Sequence, residues 1–115
     1  MIKRSDQLNY DIIQEMRGGK GEVKIIKLLE NEEFHNKGRL FARNIIKPGS
    51  SIGFHQHVGD FETYYILSGE GVVDDNGVKV AVSAGDVVYT NVGESHSIEN
   101  TGSVDLEIIA LILYE

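Results

Sequence analysis

Two histidines and a glutamate are the residues of this 115-residue chain whose types and spacing first suggest chemistry. His55 and His57 are separated by one residue, and Glu62 begins the next apolar run after a short Val-Gly-Asp-Phe segment. Alternate side chains of a β-strand share a face, so both imidazoles can point at the same place. A turn between the two runs brings the carboxylate onto a neighbouring strand. Two imidazoles and a carboxylate form a ligand set for a metal ion.

A later stretch adds a further candidate ligand, and the two stretches form a specific pattern. The first stretch has the spacing glycine, five residues, His-x-His, four residues, glutamate, six residues, glycine, at Gly49, His55, His57, Glu62 and Gly69. The second has its marked positions at Gly85, Asn91, Gly93, His96 and Asn100. This pattern resembles the paired motifs of the cupin superfamily. Only Asn91 departs from it, because the family usually has proline there, and asparagine tolerates tight-turn conformations.

The resemblance implies an all-β fold, the double-stranded β-helix jelly roll, as a single domain. It also implies one divalent transition metal held by His55, His57, Glu62 and His96. The chain has no cysteine, so an open site is favoured over a closed structural zinc site. Mn, Fe, Ni, Zn and Cu all suit these donors, and the sequence leaves the metal's identity open. Three nitrogens and one oxygen leave up to two free positions on an octahedral ion.

The elements that would position these residues are short runs rich in β-branched and aromatic residues. Nine runs read as strands, at Glu22–Leu29, Arg39–Ile46, Ser51–His57, Glu62–Leu67, Gly71–Asp74, Val78–Val82, Asp86–Thr90, His96–Asn100 and Leu106–Tyr114. The sequence Asp75-Asn-Gly77 predicts a hairpin turn, since Asn-Gly supplies the positive φ angles that a tight turn requires. Many short strands without a long helical period predict an all-β sandwich or barrel.

The N-terminal residues lack the β-branched and aromatic runs that begin at Glu22. We therefore predict an arm over residues 1–21 followed by a barrel domain over residues 22–115. Ile12, Ile13 and Met16 lie at roughly helical spacing, which favours a short helical turn or an irregular arm. The glycine-rich stretch after Met16 lacks the Gly-x-x-x-x-Gly-Lys-Ser/Thr pattern of a phosphate-binding loop. We therefore interpret it as a plain turn, with Arg17 and Lys20 beside it in solvent.

Composition excludes several classes of function. The formal net charge of −7 argues against nucleic acid as a partner, because phosphate neutralisation needs a basic face. The first residues are too polar for a secretory signal, and no apolar run approaches the length that spans a membrane. We expect a cytoplasmic protein without a membrane partner.

The last predicted strand points to self-association. From Ile108 onwards the strand is apolar on both faces. A strand of this kind is buried on both faces by other parts of the protein or by a partner. Part of the outer surface of a barrel this small would then need a partner. The resemblance to small cupins implies a dimer in which a sheet face is buried between the subunits. We therefore expect a homodimer.

Strand alternation also indicates which residues surround the ligands. Tyr64 falls on the same face as Glu62, and it is our one candidate catalytic residue, because its hydroxyl can orient a ligand or donate a proton. The alternative is a core aromatic whose hydroxyl contacts the backbone. Only one of Arg43 and Asn44 can face inward, and we place Arg43 on the outer wall. His35 lies in a polar loop, where we expect it to face solvent.

Two classes of function remain open. The first is a metal-dependent enzyme that acts on a small oxygen-rich substrate, because the resemblance to cupins allows dioxygenases, decarboxylases and isomerases. The second is a binding module that holds a metal-anchored small ligand without turnover. The fold does not decide between them, since function depends on the site.

Overall fold

A computed structural model describes all residues from 1 to 115 and contains ten β-strands. The strands are β1 Tyr10–Gln14, β2 Glu22–Lys27, β3 Gly38–Ile46, β4 Ser51–Gln56, β5 Asp60–Ser68, β6 Glu70–Asp75, β7 Val78–Ser83, β8 Val87–Thr90, β9 Ser95–Asn100 and β10 Leu106–Tyr114. Three short 3₁₀ helices lie at Ser5–Gln7, Met16–Gly18 and Asn31–Phe34. All nine predicted strands are present, with ends that differ by at most two residues.

Two antiparallel sheets face each other. The larger has six strands in the order β1-β2-β3-β10-β5-β8, and the smaller has four in the order β4-β9-β6-β7. Successive strands from β3 to β10 cross repeatedly between the sheets, so most strand pairs join segments that are distant in sequence. This confirms the predicted all-β jelly roll.

The core lies between the two sheets and follows strand alternation. In β10 every second residue from Leu106 to Ile112 is buried, and the residues between them are only half-buried. Ile98 and Asn100 are buried together with His96 on β9, as predicted from their shared parity. Burial of these aliphatic side chains is the main stabilising contribution to a sandwich of this kind.

The N-terminal segment differs from the expectation. Residues 10 to 14 form no helical turn but strand β1, which pairs with β2 from Tyr10 opposite Ile26 to Gln14 opposite Glu22. Two adjacent isoleucines fit either a helix or a strand, and the free edge of β2 decides the outcome by supplying hydrogen-bond partners. The division between an arm and a barrel at residue 22 stays a prediction, although β1 belongs to the larger sheet.

The outer face of the larger sheet carries apolar side chains. Strand register places Ile109 of β10 beside Tyr65 of β5 and then Val87 of β8 in one row. Tyr65 and Val87 are exposed, with 46% and 63% of their surface accessible. Arg43 is also on this face, where its guanidinium pairs with Glu107, as predicted for the outer wall. The helices of this structure are short 3₁₀ segments, and none of them could span a membrane.

Candidate metal centre

The four motif residues meet between the two sheets. His55 on β4 lies directly opposite His96 on β9 in the smaller sheet, and Glu62 projects from β5 in the larger sheet. His57 immediately follows the last residue of β4. One ligand atom from each of the four lies within 4.8 Å of the others. We refer to these four residues as the His–Glu cluster.

The turn of the second motif fixes the backbone of His57. The amide of His57 donates to the carbonyl of Glu94 at 2.9 Å, and the amide of Gly93 donates to the carbonyl of His57 at 2.7 Å. Gly93 has a φ of 84°, a left-handed value that glycine adopts readily. Asn91, in the usual proline position, fastens the same turn, because its Oδ1 accepts from the Val92 amide at 2.7 Å.

Each histidine of the cluster is oriented through its Nδ1 atom. The partners at 2.7 Å are the Gly53 carbonyl for His55, Asp60 Oδ1 for His57 and Thr90 Oγ1 for His96. A carbonyl or carboxylate partner requires a hydrogen on Nδ1, which leaves the Nε2 lone pair free. Metal-ligating histidines in proteins are held in this way, with the second ring nitrogen donating to a carbonyl or carboxylate.

The free ligand atoms are close together. His57 Nε2 lies 3.1 Å from Glu62 Oε1 and 3.0 Å from His96 Nε2, and His96 Nε2 lies 3.0 Å from Glu62 Oε1. When the rings are neutral with their hydrogens on Nδ1, a tautomer that the Thr90 hydroxyl also permits for His96, these three atoms present lone pairs to one another. Such an arrangement is repulsive unless a cation or protons sit among them. The donor set therefore suits a metal ion.

Three of the four donor atoms are close enough together to bind one ion. Separations of 3.0–3.1 Å among them are compatible with bonds of about 2.1 Å to a single ion. The ligand atom of His55 completes the set, with all four atoms within 4.8 Å of one another. The cluster would hold the ion through three imidazole nitrogens and one carboxylate oxygen, and an ion that takes more than four ligands would keep positions for another molecule.

Burial and mutual hydrogen bonds shift the pKa values of the cluster. Burial would raise the pKa of Glu62, but hydrogen bonds from His57 and His96 outweigh it and lower that pKa. The hydrogen bond to Glu62 is the largest cause of the raised pKa of His57. Burial lowers the pKa of His55. The carboxylate is therefore held ionised where a cation would sit.

A carboxylate outside the motifs supports His57. Asp60 is 5% exposed and accepts from Arg39 Nε at 2.8 Å as well as from His57. Burial would raise the pKa of Asp60, but the hydrogen bonds from Arg39 and His57 lower it on balance. An ionised Asp60 holds the His57 ring and increases its basicity as a ligand.

A cavity of about 170 Å³ adjoins the cluster and is lined in part by His55, Glu62 and Tyr64. His57, Glu62 and His96 are almost fully buried, whereas His55 is half-buried, so the cavity is the approach to the centre. The Tyr64 ring stacks on that of His96, with centroids 5.0 Å apart and planes inclined by 12°. Burial, with Glu62 nearby, raises the pKa of Tyr64 well above its usual value, so its hydroxyl keeps its proton.

Comparison with known proteins decides the family. The family model for the cupin domain matches residues 43–112 of this chain. The chain belongs to the cupin family. The region matched includes both motifs, all four residues of the His–Glu cluster and most of the two sheets.

Two relatives of this cupin span nearly the whole chain. An "oxalate-binding protein" of Thermotoga maritima is 58% identical over 113 residues, which are 98% of this chain and 93% of the relative. A crystal structure of "a predicted oxalate decarboxylase" from Thermotoga maritima is 56% identical, covers both chains fully and superposes with a TM-score of 0.95. KdgF from Halomonas sp., 15% identical with a TM-score of 0.80 and 95% of its chain covered, shares the fold.

Sequence reasoning missed several residues around the centre of this cupin. Arg17 was expected in solvent beside a turn, and it is exposed. It also lines the cavity together with His55, which the sequence did not indicate. Asn44, which strand alternation left facing inward but to which no role was assigned, is buried in the same lining, and Asp60 supports His57. Asp60 had a usable signal, as a carboxylate between two motif ligands. Arg17 had none, because only long-range packing brings its loop to β4. His35 is exposed, as predicted.

Proposed function

We propose that this cupin holds one divalent transition metal through His55, His57, Glu62 and His96. The observation that carries this proposal is the close approach of His57 Nε2, His96 Nε2 and Glu62 Oε1. These three atoms lie 3.0–3.1 Å from one another and are buried between the sheets. Three nitrogens and one oxygen would leave up to two positions free on a six-coordinate ion. When bound, the ion would act as a Lewis acid toward an oxygen ligand in the two remaining positions.

We further propose that the ligand is a small carboxylate of the oxalate class. A relative at 58% identity is named as an oxalate-binding protein. The cavity has a volume of about 170 Å³, which is room for a small ligand. Oxalate has six non-hydrogen atoms, and a carboxylate oxygen is a donor that divalent ions accept. Drug-sized ligands occupy pockets of about 300 Å³ or more, so the cavity supports a small ligand.

A second candidate is turnover of the bound carboxylate, supported by the position of Tyr64. Breaking the carbon–carbon bond of the oxalate dianion releases CO₂, and the remaining carbon takes one proton to give formate. Tyr64 lines the cavity together with Glu62, and its hydroxyl stays protonated because burial raises its pKa. It is the residue that we propose as proton donor, or as the hydrogen-bond donor that orients the ligand when no reaction follows.

The test begins with the metal content of the purified protein, measured by inductively coupled plasma mass spectrometry. Calorimetry then measures oxalate binding to metal-loaded and chelator-treated protein. We expect about one ion per chain and oxalate binding only when that ion is present. Oxalate binding that survives complete metal removal would refute the proposal. Formate and CO₂ released by wild type and lost in Tyr64→Phe would establish turnover, whereas binding without products would leave the protein a binding module.

We also propose that the apolar outer face of the larger sheet binds a second copy of this chain. Tyr65 and Val87 are exposed there in one row with Ile109, and patches of this kind on monomers mark contact sites. Analytical ultracentrifugation should show a dimer for wild type and a monomer for Tyr65→Lys. Val78→Lys is the control, because Val78 is 65% exposed on the opposite sheet. A monomeric wild type would refute this proposal.

A further inference from the structure

The cavity beside the His–Glu cluster has three cationic side chains in its lining, Arg17, Lys27 and Arg39. Two of them are already neutralised within the chain. Lys27 pairs with Asp11 at 3.3 Å, and Arg39 pairs with Asp60 at 2.8 Å. Arg17 has no carboxylate partner, even though the chain carries a formal net charge of −7. An unpaired guanidinium in the lining of a cavity is available to an anion from outside the chain.

The backbone holds Arg17 in this position at some cost. Arg17 has φ 55° and Glu15 has φ 52°, both left-handed values that are unfavourable for residues other than glycine. Such conformations persist where surrounding structure enforces them, and they are concentrated at ligand-binding sites. The loop that contains Glu15 and Arg17 therefore adopts an unfavourable backbone conformation, and this conformation places Arg17 beside the cavity.

Close packing of this loop against the backbone of β4 enforces the conformation. A Cβ atom on Gly53 of β4 would lie 2.2 Å from the carbonyl oxygen of Arg17. A Cβ atom on Gly19 would lie 2.3 Å from the carbonyl oxygen of Ser51. The loop can thus approach β4 only because glycines stand on both sides. Gly53 also contacts the cluster, because its own carbonyl accepts from His55 Nδ1 at 2.7 Å. One residue therefore positions both Arg17 and a ligand of the cluster.

A buried amide in the same lining also lacks a partner. Asn44 is 1% exposed, and its Oδ1 makes no hydrogen bond. An unsatisfied buried polar atom costs about 1–3 kcal/mol. At an interior position of β3, between Ile25 and Ile108 on its neighbouring strands, an aliphatic side chain would avoid that cost. Oδ1 only accepts, so a ligand group that donates, such as the acid hydrogen of hydrogen oxalate, would satisfy it, whereas the Asn44 amide nitrogen can donate to an ionised carboxylate.

We propose that Arg17 and Asn44 form a second binding point for the ligand, so that the site selects a molecule with two carboxylate groups. One group is held at the His–Glu cluster and the other by the Arg17 guanidinium, with Asn44 hydrogen-bonding to the ligand inside the cavity. This inference rests on the proposed function, because it assumes that the first carboxylate is anchored at the metal centre. A ligand with a single carboxylate would use only the first of the two binding points.

The test compares oxalate with acetate by calorimetry on metal-loaded protein, and the metal affinity of each variant is measured separately by chelator competition. Arg17→Gln should weaken oxalate binding about tenfold to a hundredfold, the usual loss for a hydrogen bond to a charged group. Acetate and metal binding should be unchanged. Arg17→Lys should retain part of the oxalate affinity. Lys20→Gln, which alters a cation of the same loop outside the cavity lining, is the matched control and should bind as wild type.

Asn44→Leu adds a measurement that does not depend on Arg17. It replaces the unpartnered amide by an apolar side chain of similar size, so the metal-free protein should melt at a higher temperature while oxalate binding weakens. Equal oxalate affinity in wild type and Arg17→Gln would overturn the inference and leave the proposed function intact. An equal loss of acetate and oxalate affinity would also overturn it. Failure of wild type to bind metal or oxalate would instead refute the proposed function, and this inference with it.

Discussion

The substitution Asp60→Asn tests whether hydrogen bonding behind the ligands determines metal affinity. It removes the negative charge that accepts from His57 Nδ1 at 2.7 Å and from Arg39 Nε at 2.8 Å, at a side chain that is 5% exposed. Loss of such a partner typically reduces metal affinity about 10- to 100-fold, or about 1.4–2.7 kcal/mol. Chelator competition measures this change, and thermal unfolding without metal measures the separate effect on stability.

The control for this substitution is Glu107→Gln. Glu107 also pairs with an arginine of β3, in this case Arg43, but on the outer face of the sheet. Both variants lose an arginine partner and should be less stable than wild type, whereas only Asp60→Asn should bind metal more weakly. Wild-type metal affinity in Asp60→Asn, or an equal loss in both variants, would refute the reasoning.

The stability difference should also depend on pH. The pKa of Asp60 is lowered from 3.8, because hydrogen bonds from Arg39 and His57 outweigh burial. A lowered pKa means that the ionised carboxylate stabilises the fold at pH values above 3.8, and that this contribution is lost as the pH falls through the folded-state pKa. The melting temperatures of metal-free wild type and Asp60→Asn should therefore converge in acid. A gap of constant size down to pH 2 would contradict an ionised Asp60.

Three further predictions address the centre itself. Alanine at any histidine of the His–Glu cluster should abolish the rise in melting temperature caused by added metal, whereas His35→Ala should retain it; a lost response in His35→Ala would contradict the ligand assignment. Metal should be released as the pH falls through about 6.5, because protons compete for the imidazoles, and the raised pKa of His57 makes this competition begin above 6.5; retention at pH 5 in the presence of chelator would count against the site. Gly53→Ala should weaken both metal and oxalate binding, since its Cβ would lie 2.2 Å from the Arg17 carbonyl oxygen; wild-type affinity for both would show that the contact is unimportant.

The sequence alone determined most of the fold and the composition of the cluster. Alternation and turn residues are local properties, so nine strands and the inward parity of Tyr64 and Ile98 could be predicted correctly. The two-residue step from His55 to His57 places both imidazoles on one face of a strand, and the resemblance to the paired cupin motifs added Glu62 and His96. The ligands could be grouped without knowledge of which strands are neighbours.

Only the tertiary structure decided what surrounds that cluster. The pairing of β4 with β9 sets His55 opposite His96, and the packing of the N-terminal loop on β4 brings Arg17 to the cavity. Both depend on contacts between residues about 40 positions apart in sequence, which local propensity does not encode. The edge of β2 likewise converted the ambiguous isoleucines of residues 12 and 13 into a strand. Local pattern fixes which side chains can share a face, whereas non-local packing fixes which faces meet.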